Sequence, residues 1–187
     1  MKLGFPRQRR GNSIMDHPAG QIRDRLDVLK VLVVDDEHTM RRVTRSLLQS
    51  IGVKNIRDAC DGRAGLDAVC AWAPDVVVLD WKMPNLGGLD FVRRVRSPNE
   101  FPYPDVPIIM LTAFGERSRV MEAVDLGVNE FLLKPVSTKA LQARLISILT
   151  KPRRMVKKGG CYVPEPRKLS SYLPDIDLEL NELVLAN

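Results

Sequence analysis

The sequence predicts an α/β protein built on a doubly wound, five-stranded parallel sheet with helices on both faces, and three observations predict it. Short aliphatic, β-branched runs alternate with segments of helical periodicity five times over about 120 residues. Most of these runs are apolar throughout, as strands buried on both faces must be. Gly and Pro/Gly signals fall between the units, at Gly52, at Asp61-Gly62 and from Met83 to Gly88.

Val31-Leu32-Val33-Val34 is the first strand and stops at Asp35-Asp36-Glu37. Met40, Val43, Leu47 and Ile51 are spaced by three or four, which predicts a helix that Gly52 ends. Asn55–Cys60 reads as a short second strand. Gly62–Ala71 follows as a helix, with Leu66, Val69 and small alanines on one face. Pro74 leads into the third strand, Asp75–Leu79, and Leu89, Val92 and Val95 mark the third helix. Val106–Thr112 is the fourth strand and Ser118–Leu126 its helix. Glu130–Lys134 is the last strand. Thr138–Leu149 is the last helix, with Leu141, Leu145, Ile148 and Leu149 facing inward.

Composition is that of a soluble globular chain, 44% hydrophobic and 28% charged, with no apolar run long enough to span a bilayer. The first 30 residues lack the apolar core of a secretory signal. Cys60, Cys70 and Cys161 have no metal spacing and cannot all pair, which points to a reducing, cytoplasmic setting. The net charge of +6 sits at the ends: +3 over residues 1–29 and +2 over 151–187, against +1 for the long middle. The expected organisation is a basic, flexible arm over 1–28, a folded domain over 29–150, and an extension over 151–187. Met15 is a candidate start within the first arm. The extension reads as a basic linker followed by an apolar, acidic docking segment, Asp175–Leu185.

The ionisable residues inside the sheet are not scattered. Asp35 and Asp36 close the first strand, Asp80 the third, Thr112 the fourth and Lys134 the fifth. In an open parallel sheet the carboxyl ends share one edge, and a strand order of 2-1-3-4-5 opens a crevice between the first and third strands. That order brings Asp35, Asp36 and Asp80 together. Three carboxylates in one crevice call for a cation, and an all-oxygen donor set fits Mg²⁺. Lys134 is suited to hold a phosphoryl oxygen as a point charge, and Thr112 to donate its hydroxyl to the same group. These parts point to phosphoryl transfer onto a carboxylate. The plainer alternative makes Asp36 a helix N-cap and the others solvated or turn residues.

Val33-Val34-Asp35-Asp36-Glu37, Val78-Leu79-Asp80-Trp81-Lys82-Met83-Pro84, Met110-Leu111-Thr112-Ala113 and Phe131-Leu132-Leu133-Lys134-Pro135 resemble the signatures of response-regulator receiver domains of bacterial two-component signalling, chemotaxis regulators among them. The resemblance covers about residues 29–150 and implies a flavodoxin-like fold. It implies that Asp80 is the phosphoacceptor, fed by a sensor histidine kinase or a histidine phosphotransferase. It further implies that Asp36 ligates Mg²⁺ directly, Asp35 mainly through water, and Lys82 through its backbone carbonyl. Thr112 would move toward the phosphoryl group, Phe131 would turn inward as the switch aromatic, and Lys134-Pro135 would be a cis peptide. Lys82 and Phe114 would flank the path of an attacking water and tune the lifetime of the aspartyl phosphate.

Only 37 residues follow position 150, which predicts a stand-alone receiver whose output is a protein contact. The expected contact face comprises the helix around 118–126, the last strand and the last helix. It would be read by a downstream protein or by a second copy, with the C-terminal tail as another route to a homodimer. A second hypothesis makes the arms, through Lys151, Arg153, Arg154, Lys157 and Lys158, a tether to nucleic acid or an anionic surface under receiver control. The acidic tail nearly cancels that charge, and Tyr162 is the only aromatic nearby, which argues against nucleic acid. A third, an aspartate-nucleophile phosphatase, needs an acid two residues after Asp80, where Lys82 stands. The chain is therefore expected to be a phosphoacceptor rather than a turnover enzyme, with self-phosphorylation and autodephosphorylation as its only reactions. The bulky ring at 114 predicts slow loss of the phosphoryl group. Phe114→Glu is expected to shorten the aspartyl-phosphate lifetime, read as decay of the phosphorylated species after the donor is removed.

Overall fold

The computed structural model describes residues 18–97, 101–113, 117–158 and 161–165. Five parallel strands form the central sheet: β1 (Lys30–Val34), β2 (Asn55–Ala59), β3 (Val76–Asp80), β4 (Ile108–Thr112) and β5 (Glu130–Leu133). Their order is β2-β1-β3-β4-β5, so the chain reverses direction across the sheet between β1 and β3. The five helices between and after them are α2 (His38–Ile51), α3 (Gly62–Trp72), α4 (Gly88–Val95), α5 (Arg117–Leu126) and α6 (Thr138–Thr150). A further helix, α1 (Pro18–Val28), precedes β1, and a hairpin of β6 (Met155–Lys158) and β7 (Cys161–Pro164) follows α6.

Alternation along the strands divides the core into two layers. Leu32, Val34, Val77, Leu79, Ile108, Met110 and Phe131 face one side, against α3, α4 and α5. Val31, Val33, Val76, Val78, Ile109, Leu111 and Leu132 face the other, against α1, α2 and α6. β3 and β4 are buried along their whole length, while the edge strand β2 buries only Ile56 and Ala59. Along α2 the buried stripe is Thr44, Leu48 and Ile51. Val43, expected on the inner face, is 43% exposed. Of the other predicted positions, Ile51 is buried and Leu47 packs against the core, with Thr44 and Leu48 buried beside them.

Both ends contain structure where the sequence predicted arms. Residues 18–28, read as the end of a flexible segment, form α1, whose Leu26 joins the core together with Leu29. Arg25 donates to the Leu149 carbonyl at 2.6 Å at the end of α6. Met155–Lys158 and Cys161–Pro164, read as linker, pair as the two strands of the hairpin. Two of the basic residues here are engaged: Arg153, just before the hairpin, donates to the carbonyls of Asn129, Pro164 and Glu165, and Lys158 pairs with Asp125 at 3.3 Å. The cluster proposed as an anionic tether is thus partly spent inside the fold. Asp175–Leu185 and Met15 lie outside the described residues.

Arg96, just after α4, ties the hairpin to the sheet. It is fully buried, and its guanidinium donates to Gly127 O (2.9 Å), Pro104 O (2.6 Å) and Asn129 Oδ1 (2.9 Å). Its own carbonyl accepts from Tyr162 N of β7 at 2.9 Å. Asn129 Oδ1 also accepts from Ile108 N at 2.9 Å, so the amino ends of β4 and β5 hang on the same group. Gly127 has φ +104, and a Cβ there would lie 3.0 Å from both Arg96 Nε and Tyr162 O. Burial pushes the Arg96 guanidinium down to about 9, with the charge of Asp105 opposing, and it stays a cation at neutral pH. Arg96→Met is expected to cost about 3 kcal/mol or more in urea unfolding, because it strands several buried acceptors at once. Lys158→Ala, at an exposed pair, is expected to cost under about 1 kcal/mol.

Candidate functional site

The carboxyl edge of the sheet carries the site because β1, β3 and β4 end there in register. Val34 pairs with Leu79, and Asp80 with Leu111. Asp80 therefore ends β3 beside the Asp35-Asp36 loop that follows β1. Carboxylate oxygens of Asp35, Asp36 and Asp80 lie within 4.8 Å of one another. They line a cavity of about 730 Å³ with Glu37, Trp81, Lys82, Met83, Pro84, Ala113 and Lys134.

Each side chain is fixed differently. Asp35 is buried, and its Oδ1 accepts from Glu37 N at 2.8 Å. Asp36 is exposed, and it is not the N-cap of α2: that position is Glu37, which makes no side-chain capping bond. Asp80 is nearly buried, with Oδ2 accepting from Lys82 N at 3.2 Å. Lys134 reaches across from the end of β5 to Asp80 Oδ1 at 2.6 Å and Asp35 Oδ2 at 3.2 Å. Its backbone N donates to Thr112 O at 2.8 Å, and the Lys134-Pro135 peptide is cis.

Thr112 ends β4 and is fully buried; Phe131 on β5 is fully buried in the α3–α5 layer. Lys82 is exposed at the cavity. Phe114 lies outside the described residues. The structure thus brings Asp35, Asp36, Asp80, Lys82 and Lys134 around one cavity, with Thr112 at the end of the adjoining strand.

Sequence reasoning missed Gly88. A Cβ at this first residue of α4 would stand 2.6 Å from Asp80 O and 2.9 Å from Trp81 O. Gly88 N donates to Trp81 O at 2.9 Å, so the β3–α4 loop folds back against the backbone that carries Asp80. The Gly87-Gly88 pair before an apolar helix was the signal available.

Burial pushes the Asp80 carboxyl up, and the neighbouring charge of Asp35 adds to this; Lys134 and the Lys82 N–H pull it back. Burial alone would lower Lys134, but its contacts with Asp80 and Asp35 outweigh it and hold the ammonium above its ordinary value. Three carboxylates against one ammonium leave two negative charges, which a divalent cation balances. The donor set is all oxygen, with no His or Cys, and so fits Mg²⁺ rather than a softer metal.

A parallel 2-1-3-4-5 sheet with acids at its switch point and a lysine opposite defines a class of signalling domain. Residues 31–146 match the response regulator receiver domain model, and the chain belongs to that family. It is 36% identical over 120 residues to chemotaxis protein CheY-3 of Vibrio cholerae, an alignment spanning 64% of this chain and 91% of that protein. It is 35% identical over 120 residues to chemotaxis protein CheY of Pseudomonas aeruginosa, covering 64% and 95%. Among solved structures, Vibrio cholerae CheY4 superposes with a TM-score of 0.58 at 31% identity, covering 64% of this chain and 98% of that one. The Francisella response regulator 1452 receiver domain superposes at 0.60 and 28% identity, covering 66% and 98%. The protein therefore carries a response regulator receiver domain, a signalling module rather than a conventional enzyme.

The raised Asp80 pKa gives metal-free protein a defined pH dependence. The folded chain holds the Asp80 proton more tightly than the unfolded chain, whose value is about 3.9. Stability from this group therefore grows as pH falls through the folded value and is complete below the unfolded one. Asp80→Asn, unfolded by urea in EDTA, is expected to be more stable than the parent at neutral pH. That gap should narrow as the solution is acidified.

Proposed function

We propose that the protein is a phosphorylation-dependent switch in which Asp80 accepts a phosphoryl group from a histidine kinase or histidine phosphotransferase. The observation that carries this reading is the Lys134 ammonium, held between Asp80 Oδ1 at 2.6 Å and Asp35 Oδ2 at 3.2 Å beside an open cavity. A carboxylate oxygen of Asp80 attacks the phosphorus of the donor phosphohistidine. The O–P bond forms as the P–N bond breaks, and the imidazole leaves with a proton taken from solvent. Asp36, Asp80 and the Lys82 carbonyl, with Asp35 mainly through water, would hold Mg²⁺, which would neutralise charge on the phosphoryl oxygens. Lys134 exchanges its carboxylate partner for a phosphoryl oxygen and keeps its charge compensated throughout. Lys82 and Phe114 set how easily water reaches the phosphoryl group and hence how long the signal lasts.

The signal leaves through β4 and β5. The Thr112 hydroxyl is drawn to the new phosphoryl oxygen, and Phe131 shares its core layer with Val120 and Ala123 of α5. A shift at Thr112 is therefore felt under α5, and the protein moves between two pre-existing arrangements of the α5–β5–α6 face. A downstream protein or a second copy reads that face, where Met121 is exposed. Cytoplasmic residence follows from a cytoplasmic phosphodonor; no described helix is long and apolar enough to cross a membrane.

Acetyl phosphate with Mg²⁺ is expected to add one phosphoryl group, seen by intact-protein mass spectrometry. Asp80→Asn or EDTA should abolish it. Labelling that survives Asp80→Asn, or a parent protein that takes no label with Mg²⁺ present, overturns the reading.

A further inference from the structure

Arg41 stands where simple electrostatics does not want a cation. It lies in the first turn or so of α2, four residues after the N-cap, its N–H donating to Glu37 O at 3.0 Å. That is the positive end of the helix dipole, which favours acids over bases, and α2 has no acid in its first turn. The side chain bends back over the helix start. Its Nη1 donates to Asp35 O at 2.8 Å and to Asp36 O at 3.1 Å. One guanidinium nitrogen thus pins both carbonyls of the acidic loop from behind.

The two carboxylates of that loop differ in how much else holds them. Asp35 is fixed by its own contacts with Glu37 N and Lys134. Asp36 is exposed, and among the described residues no hydrogen bond or ion pair holds its carboxylate. Only the backbone on which it is mounted aims it at Asp80, and the Asp36 carbonyl on that backbone is held by Arg41.

We infer that Arg41 is a positioning residue for the divalent-cation site, acting through the Asp35 and Asp36 carbonyls to aim the Asp36 carboxylate. This rests on the Mg²⁺-dependent reading given above. The sign of its effect separates positioning from charge. Removing a cation beside three carboxylates should, by Coulomb's law alone, tighten binding of Mg²⁺. Releasing the loop that presents a ligand should weaken it, in the way loss of outer contacts usually weakens metal sites.

The test is Mg²⁺ titration of full-length protein followed by tryptophan emission, since Trp81 adjoins Asp80 and lines the cavity. A Trp72→Phe background leaves Trp81 as the single tryptophan, the chain having two. Arg41→Ala is expected to raise the Mg²⁺ dissociation constant about tenfold. Arg41→Lys, which can restore one carbonyl contact, should fall between the two. Arg42→Ala, at the exposed neighbour, should stay within about twofold of the parent. Urea midpoints in EDTA accompany each titration, and Arg41→Lys carries the test should Arg41→Ala fold poorly. Unchanged or tighter binding in both Arg41 variants overturns the inference, as does an equal loss in Arg42→Ala. A parent protein that shows no Mg²⁺ response overturns the functional reading itself, and this inference with it.

Discussion

The contact on which the rest of the carboxyl edge depends is the Lys134 ammonium between Asp80 and Asp35. Two mostly buried carboxylates from adjacent strands repel, and burial makes the ionised form of Asp80 costly. A lysine at the end of a strand two places farther along offsets that repulsion by contacting both. This is a poor device for stability, because a buried pair of this kind recovers little more than its desolvation cost. It is a good device for chemistry, because the cation is already in place when further negative charge arrives.

Geometry at the site is maintained mostly by backbone, and this explains how little of it involves side chains outside the strand ends. The cis Lys134-Pro135 peptide and the Lys134 N–H to Thr112 O bond place the lysine at the end of β5. The close approach of Gly88 to Asp80 O seats the loop after β3. Thr112 and Phe131 are buried beneath the edge, and Phe131 packs in the same layer as Val120 and Ala123 of α5.

Much of this was legible in the sequence, for identifiable reasons. Four apolar runs that end in Asp, Asp, Thr and Lys dictate both the sheet and the edge where those residues meet, because strand direction fixes which ends coincide. What was not legible involved residues whose type misleads. A buried Arg96 contradicts the usual exposure of arginine, and nothing in its neighbourhood of sequence distinguishes it from exposed Arg93 and Arg94. α1 did carry a signal, Ile22, Leu26 and Leu29 at helical spacing, but it was submerged in a basic, polar composition. The hairpin carried one too, the Gly159-Gly160 pair between two short runs, hidden by the lysines of β6.

Arg96 and the hairpin it anchors bear on what counts as one domain. The family-model match ends at residue 146, yet Val163 is buried and Tyr162 N donates to the Arg96 carbonyl. At the other end Leu26 is as deeply buried as Val33. The stretch that matches the family model and the stretch that packs on one core are therefore of different lengths. A receiver trimmed to residues 31–146 would keep Asp35, Asp36, Asp80, Thr112 and Lys134 and lose the buried Leu26 and Val163 and the Tyr162 N–H that Arg96 O accepts.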